Sequence, residues 1–242
     1  MGEIHSAVKI DKDRFVSGSK DNTVRLWDAH KGRCILFDRT DRNIVTDIKY
    51  IPNTESIVQS SEDLVMKIWD TRFMELAGNF TKTQYFQTSI AISSDGNHVF
   101  TGSNGFDSAG CMARLWDIRT LKCIKTYNGH TQGIANCDYL DDDTMITTSI
   151  DRTLKIWDTK HDECILTKKL DIGAPNSMTT NLQRQFCIAG MEGIMLCSLS
   201  STNGVNCISI ISDAVTDDIS WKKNAVEYAK PIKKKFDKQW IL

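Results

Sequence analysis

The dipeptide Trp-Asp occurs at 27–28, 69–70, 116–117 and 157–158, so the tryptophans stand 42, 47 and 41 residues apart. A period near 40 residues constrains the fold more than any other feature, because each unit must be one supersecondary element that buries its apolar face only against its neighbours. Each pair closes a short alternating segment: Val24-Arg25-Leu26-Trp27, Met66-Lys67-Ile68-Trp69, Ala113-Arg114-Leu115-Trp116 and Leu154-Lys155-Ile156-Trp157. Period-two alternation with branched and aromatic residues reads as a strand. Six residues before three of the tryptophans stands an aspartate, Asp21, Asp63 or Asp151, inside Ser-Lys-Asp-Asn, Ser-Glu-Asp-Leu and Ile-Asp-Arg-Thr. These are turn sequences, so the repeated unit contains a hairpin. Forty residues after Trp157, Cys197 ends a stretch of the same strand-turn-strand form that has lost the signature letters, and it is counted as a degenerate fifth unit.

Together with Gly129-His130 ahead of the fourth unit, these residues resemble the WD40 family over roughly residues 4 to 211. The resemblance implies an all-β propeller of about five four-stranded antiparallel blades, divided as 1–40, 41–81, 82–129, 130–171 and 172–212, followed by a tail at 213–242. It also implies a buried hydrogen-bond chain in each blade, complete here only as His130, Thr147, Asp151 and Trp157. An indole N–H taken out of water needs an acceptor, and a hydroxyl and an imidazole can relay it to a turn carboxylate. His, Asp and Thr together also suggest a catalytic triad, but recurrence at equivalent positions favours a stabilising role. The repeat signature itself is Trp27, Asp28, Trp69, Asp70, Trp116, Asp117, Trp157 and Asp158.

Departures from the pattern carry their own expectations. Blade one has Ser17, Asp21 and Trp27, but its histidine would fall at or before Met1. Blade two has Gln59 where Ser or Thr is expected, and blade three has Thr101 and a lengthened turn from Ser103 to Cys111, so these two blades are expected to rely on packing alone. Five units suggest an incomplete seven-bladed ring, shortened at its N-terminus, open or weakly joined and marginally stable alone. The segments Val45-Thr46-Asp47-Ile48, Ser60-Ser61-Glu62-Asp63 and Ser103-Asn104-Gly105-Phe106 are similar to the WD repeat-containing protein thirty-one subfamily, which implies a cilium-related trafficking role.

Composition excludes more than it selects. A net charge of −1 sets up no field for nucleic acid, and none is expected as partner. No 18-residue apolar run occurs, so no integral membrane segment is expected. Eight cysteines include no C-x-x-C pair and read as reduced, which points to the cytoplasm, with the nucleus or cilium left open. Cys34, Cys123 and Cys164 each follow their tryptophan by seven residues, equivalent places on separate blades where a shared metal is not expected. Gly18, Gly102 and Gly190 open no phosphate-binding loop. Catalytic residues, cofactor and metal are therefore all expected to be absent.

Other proteins are the expected partners. Trp69-Asp70-Thr71-Arg72 and Trp116-Asp117-Ile118-Arg119 resemble the box by which substrate receptors dock on the cullin-4 ubiquitin-ligase adaptor, making Arg72 and Arg119 candidate contacts. Phe106, at the tip of the lengthened turn, is a third candidate, either exposed for binding or folded on its own hairpin. Beyond Asp213, the spacing Trp221, Ala225, Tyr228, Ile232 predicts an amphipathic helix. Residues 219–242 carry seven lysines against Glu227 and Asp237, a balance of +5 suited to an acidic partner or a membrane surface. A helix capping the edge of blade five is the alternative. A scaffold is thus the leading expectation and a ubiquitin-ligase receptor the second. An enzyme working in the central channel is the third, with few histidines to draw on: His5, His30, His98, His130 and His161.

Overall fold

The structure, a computed structural model, describes residues 2–39, 44–161, 163–181 and 184–199 and the backbone of 205–212. The described residues form twenty strands and no helix. The predicted tail helix at 213–242 lies outside them.

Five four-stranded sheets follow one another along the chain. Blade one is β1 (Ile4–Lys9), β2 (Arg14–Ser19), β3 (Thr23–Asp28) and β4 (Arg33–Arg39). Blade two is β5 (Val45–Tyr50), β6 (Ser56–Ser61), β7 (Lys67–Asp70) and β8 (Glu75–Asn79). Blade three is β9 (Gln87–Ile92), β10 (His98–Ser103), β11 (Ala113–Asp117) and β12 (Lys122–Tyr127). Blade four is β13 (Ile134–Tyr139), β14 (Thr144–Ser149), β15 (Thr153–Asp158) and β16 (Cys164–Lys169). Blade five is β17 (Pro175–Thr180), β18 (Gln185–Gly190), β19 (Gly193–Leu199) and β20 (Val205–Ser212). Every strand pairs antiparallel with the next in its blade, as short hairpin connections require.

The first strand of each blade is the inner one. β1, β5, β9, β13 and β17 pack in that order, and all five line a common channel of about 350 Å³. The two middle strands are covered on both faces where they lie between neighbouring blades, so they show near-continuous burial: Ile57 to Ser61 and Val99 to Ser103 are all buried. The fourth strands are the wet rim, where Arg33–Arg39 alternates between half-buried and exposed. Two glycines record how closely blades approach. A methyl group at Gly18 would lie 2.4 Å from Val45 of blade two, and one at Gly102 would lie 2.3 Å from Ile134 of blade four.

Each inner strand is bulged near its start, between Ile4 and Ser6, Val45 and Asp47, Gln87 and Ser89, Ile134 and Asn136, and Pro175 and Ser177. A bulge re-aims the side chain beside it. Here it turns that residue toward the next inner strand. Ser6 Oγ accepts the Ile48 amide (3.2 Å), Asp47 Oδ2 accepts the Ile90 amide (2.8 Å), and Ser89 Oγ accepts the Cys137 amide (3.2 Å). Ser6 Oγ also donates to Asp47 Oδ1 at 2.7 Å. The blades are therefore stitched around the channel by side-chain oxygens as well as by packing.

Candidate functional site

Blade four carries the full chain of polar groups. The Trp157 indole N–H donates to Thr147 Oγ1 (2.8 Å), Thr147 meets His130 Nε2 (2.8 Å), and His130 Nδ1 meets Asp151 Oδ2 (2.8 Å). With a neutral ring carrying its proton on Nδ1, each donor has one acceptor: indole to hydroxyl, hydroxyl to Nε2, Nδ1–H to carboxylate. Asp151 also takes the Thr153 hydroxyl (2.6 Å) and the Thr131 amide (3.0 Å). Burial works to raise its pKa, but the bonds from His130, Thr153 and Thr131 outweigh it and hold the carboxyl well below the usual range. Thr147 and Trp157 are sealed from solvent and His130 is nearly so. The hydroxyl has no path to a substrate, and its proton is already engaged.

The other blades solve the same problem with other atoms. In blade one Trp27 donates to Ser17 Oγ (2.8 Å). In blade two it is Gln59 Oε1 that accepts Trp69 (2.6 Å). In blade three Trp116 donates to Thr101 Oγ1 (3.0 Å), and Thr101 donates in turn to Gln87 Oε1 (2.7 Å). The expectation that blades two and three rely on packing alone is corrected: a carboxamide takes the place of the hydroxyl in one and of the imidazole in the other. Gln87 is held by its own donation to the Tyr85 carbonyl (2.8 Å).

Cys34, Cys123 and Cys164 lie on the fourth strands, each opposite its blade's tryptophan. Among the described residues no three His, Cys, Asp or Glu side chains are grouped to hold a metal ion. Cys137, fully buried, has its thiol pushed up to about 12 by that burial. The channel wall mixes Asp47, Lys49, Thr88, Asn136 and Asp138 with His5. Burial raises the Asp138 pKa against the Thr180 hydroxyl and Tyr139 amide that it accepts.

The three candidate contacts fall at opposite ends of the sheets. Phe106 tips the connection between β10 and β11, whereas Arg72 and Arg119 lie in the connections after β7 and β11, at the other end. Phe106 pairs by backbone with Ala109 (N to O, 2.9 Å), forming a small hairpin within the lengthened turn. Its neighbour Ser108 donates to the Thr131 carbonyl of the next blade (2.8 Å), so the tip is braced. The ring does not fold back; it is 72% exposed. Arg72 is gripped by Asp70 (Nη2 to Oδ2, 2.5 Å) and lies over the exposed Phe73 ring at 5.7 Å. Arg119 is exposed. On the same end a cleft of about 520 Å³ opens between blades three and four, lined by Asp95, Leu115, Ile124, Tyr139, Asp142 and Asp143. Sequence reasoning passed over that cleft, because no motif singles out Asp95, Asp142 and Asp143, which lie in the connections between β9 and β10 and between β13 and β14. No helix among the described residues is long and apolar enough to cross a membrane.

Five antiparallel blades around a channel, the second to fifth each with a strand-three aromatic or thiol packed toward the preceding blade, define a β-propeller built from repeats. Residues 5–28, 76–117 and 121–158 match the family described as WD domain, G-beta repeat, so the chain carries WD40-type repeats. The second and third matches begin near or in an outer strand and end with the tryptophan strand of the following blade. Among curated relatives, it is 26% identical over 157 residues to Autophagy-related protein 16 of Arabidopsis thaliana, covering 62% of this chain and 29% of the relative. It is 28% identical over 156 residues to U3 snoRNP-associated protein-like EMB2271 of Arabidopsis thaliana, covering 64% and 27%. It is 27% identical over 176 residues to the Ribosome biogenesis protein WDR12 homolog of Drosophila persimilis, covering 63% and 41%. The chain thus spans well under half the length of these relatives.

Proposed function

We propose that the chain is a non-catalytic scaffold that holds other proteins on the loops at the ends of its blades. The observation that carries this reading is Phe106, a large apolar ring held 72% exposed on a braced hairpin. An exposed aromatic on a rigid support loses little entropy on binding and makes a natural anchor. The polar groups that resemble a triad serve the blade interior, which supports a role without chemistry. Phe106→Asp tests the proposal. Affinity capture from lysate with wild type and variant as bait should recover a protein with the first that drops at least about tenfold with the second, at equal thermal stability, as expected when an interface anchor is lost. An unchanged set of captured proteins defeats it.

A second reading, docking to a cullin-4 ligase adaptor through Trp-Asp-x-Arg boxes, is favoured by the clamped Arg72 beside exposed Phe73. It requires that purified adaptor bind the wild type and not the double variant Arg72→Ala, Arg119→Ala. The names of the relatives point to autophagy, ribosome biogenesis and the U3 particle. The cilium-related role implied by the subfamily resemblance has no counterpart in these names.

A further inference from the structure

Where blades one and two meet, and again where blades two and three meet, the connection after the third strand sends one apolar side chain back onto the preceding blade. Met74 and Leu121 both stand five residues after their blade's tryptophan and take the same left-handed φ, 55° and 59°. Met74 is buried in one cluster with Val16 and Leu26 of blade one, and Leu121 packs on a cluster that holds Val58 and Ile68 of blade two. Five residues after Trp157 the sequence has Asp162, which lies outside the described residues.

The joint between blades three and four is hollow at that end: it holds the cleft of about 520 Å³. Leu115 and Ile124 of blade three give the cleft an apolar wall, and Ile124 is 54% exposed. From blade four comes Tyr139, whose hydroxyl is buried yet has no hydrogen-bond partner among the described residues. Burial pushes its pKa up, so the hydroxyl keeps a proton to donate, and leaving such a group unpaired is costly. Three aspartates and no lysine or arginine are among the described residues that line the cleft. Asp95 is taken up by the Ser93 hydroxyl and the Asn97 amide, and Asp143 by Lys160. Asp142, exposed, accepts the Ser94 hydroxyl and meets no cation among the described residues.

We propose that this cleft takes from a partner protein the side chain that the two earlier joints supply for themselves: a leucine or methionine, carried in an extended segment with a lysine or arginine beside it. The aliphatic group lies against Leu115 and Ile124, a backbone carbonyl of the segment accepts the Tyr139 hydroxyl, and the cation pairs with Asp142. The occupant's chemistry follows from what fills the same place elsewhere in the molecule and from the charge at the rim. The site lies at the opposite end of the sheets from Phe106, so it adds a second surface to the scaffold reading and shares with it only the premise that the partner is a protein.

An oriented library of biotinylated peptides, each with one fixed central residue and degenerate flanks, tests this on the full chain. Wild type should select leucine or methionine at the centre and lysine or arginine beside it. The affinity of a selected fluorescent peptide should fall at least about tenfold with Ile124→Asp, and as much when its own central residue is changed to aspartate. Tyr139→Phe and Asp142→Asn should each weaken it about threefold or more, as the loss of one hydrogen bond or one ion pair does. Ile124 and Asp142 are exposed and the Tyr139 hydroxyl is unbonded, so these variants should keep the wild-type melting temperature. Phe106→Asp should leave peptide binding unchanged, which separates failure of this site from failure of the Phe106 anchor. The proposal is overturned by a library that shows no selection, by selection that survives Ile124→Asp or disappears with Phe106→Asp, or by an affinity indifferent to both Tyr139→Phe and Asp142→Asn. So is it by binding that appears only when residues 213–242 are removed, which would make the tail the occupant.

Discussion

A buried indole N–H must find an oxygen, and this chain uses Ser17, Gln59, Thr101 and Thr147 for the purpose in successive blades. These contacts differ in worth because their burial differs. Thr147→Val would leave the Trp157 donor and the His130 Nε2 acceptor unpaired in a sealed site, a loss expected at about 2–3 kcal/mol. Ser17→Ala should cost less than about 1 kcal/mol, because Trp27 is only half-buried and water can replace the hydroxyl. Urea unfolding of the two variants checks the difference, and equal losses would contradict it. Thr147 and Asp151 were legible in the sequence because hydroxyl, carboxylate and tryptophan recur at fixed intervals. Gln87 was not. It reaches Thr101 from 14 residues upstream on the inner strand itself, whereas His130 reaches Thr147 from 17 residues upstream in the loop ahead of it. A different residue type from a different backbone position leaves no spacing to recognise.

The hairpin between the second and third strands is held by its aspartate. Asp21, Asp63 and Asp151 each accept the amide two residues on, from Thr23 (3.2 Å), Val65 (3.1 Å) and Thr153 (2.8 Å), while the residue between adopts a left-handed φ of 64°, 70° or 62°. The Thr23 hydroxyl above all, against the effect of burial, lowers the Asp21 pKa to about 2. In Asp63 burial works upward, but bonds from Lys67, Ser61 and Val65 prevail. All three folded-state values thus lie below the roughly 3.9 of an unfolded chain. Their contribution is complete above about pH 4 and disappears as pH falls through the folded values, so stability should drop between about pH 4 and pH 2. Asp151→Asn should flatten part of that slope, which melting temperatures across the range would show; an unaltered slope would remove Asp151 from the account. Three hairpins were legible from these letters, and that of blade three from its tryptophan strand and lengthened turn. The fifth was legible only as strand-turn-strand, because Cys197 fills the tryptophan's place opposite Phe186.

At the scale of the molecule, the period gave the number of blades but not how they are joined. The cross-strand pairs at the joints, Val16 with Leu26, Val58 with Ile68, Phe100 with Leu115 and Ile146 with Ile156, are ordinary alternating apolar residues, and nothing in their letters says which face meets which neighbour. Among the described residues, blades two, three and four have a neighbour on both faces, whereas blades one and five each have one. Amide exchange should therefore reach β2 and β3 and β18 and β19 well before β6, β10 and β14. Uniform protection across all five blades would show that the end faces are covered. The offset between repeat and sheet has a different kind of consequence. Matched units at 76–117 and 121–158 each supply the last strand of one sheet and the first three of the next. The stretch of chain that duplication copies is therefore not the body that folds. A newly acquired repeat cannot arrive as a finished sheet; it must be completed by its neighbours at once, so inheritance by whole units keeps every sheet bonded to the one before it.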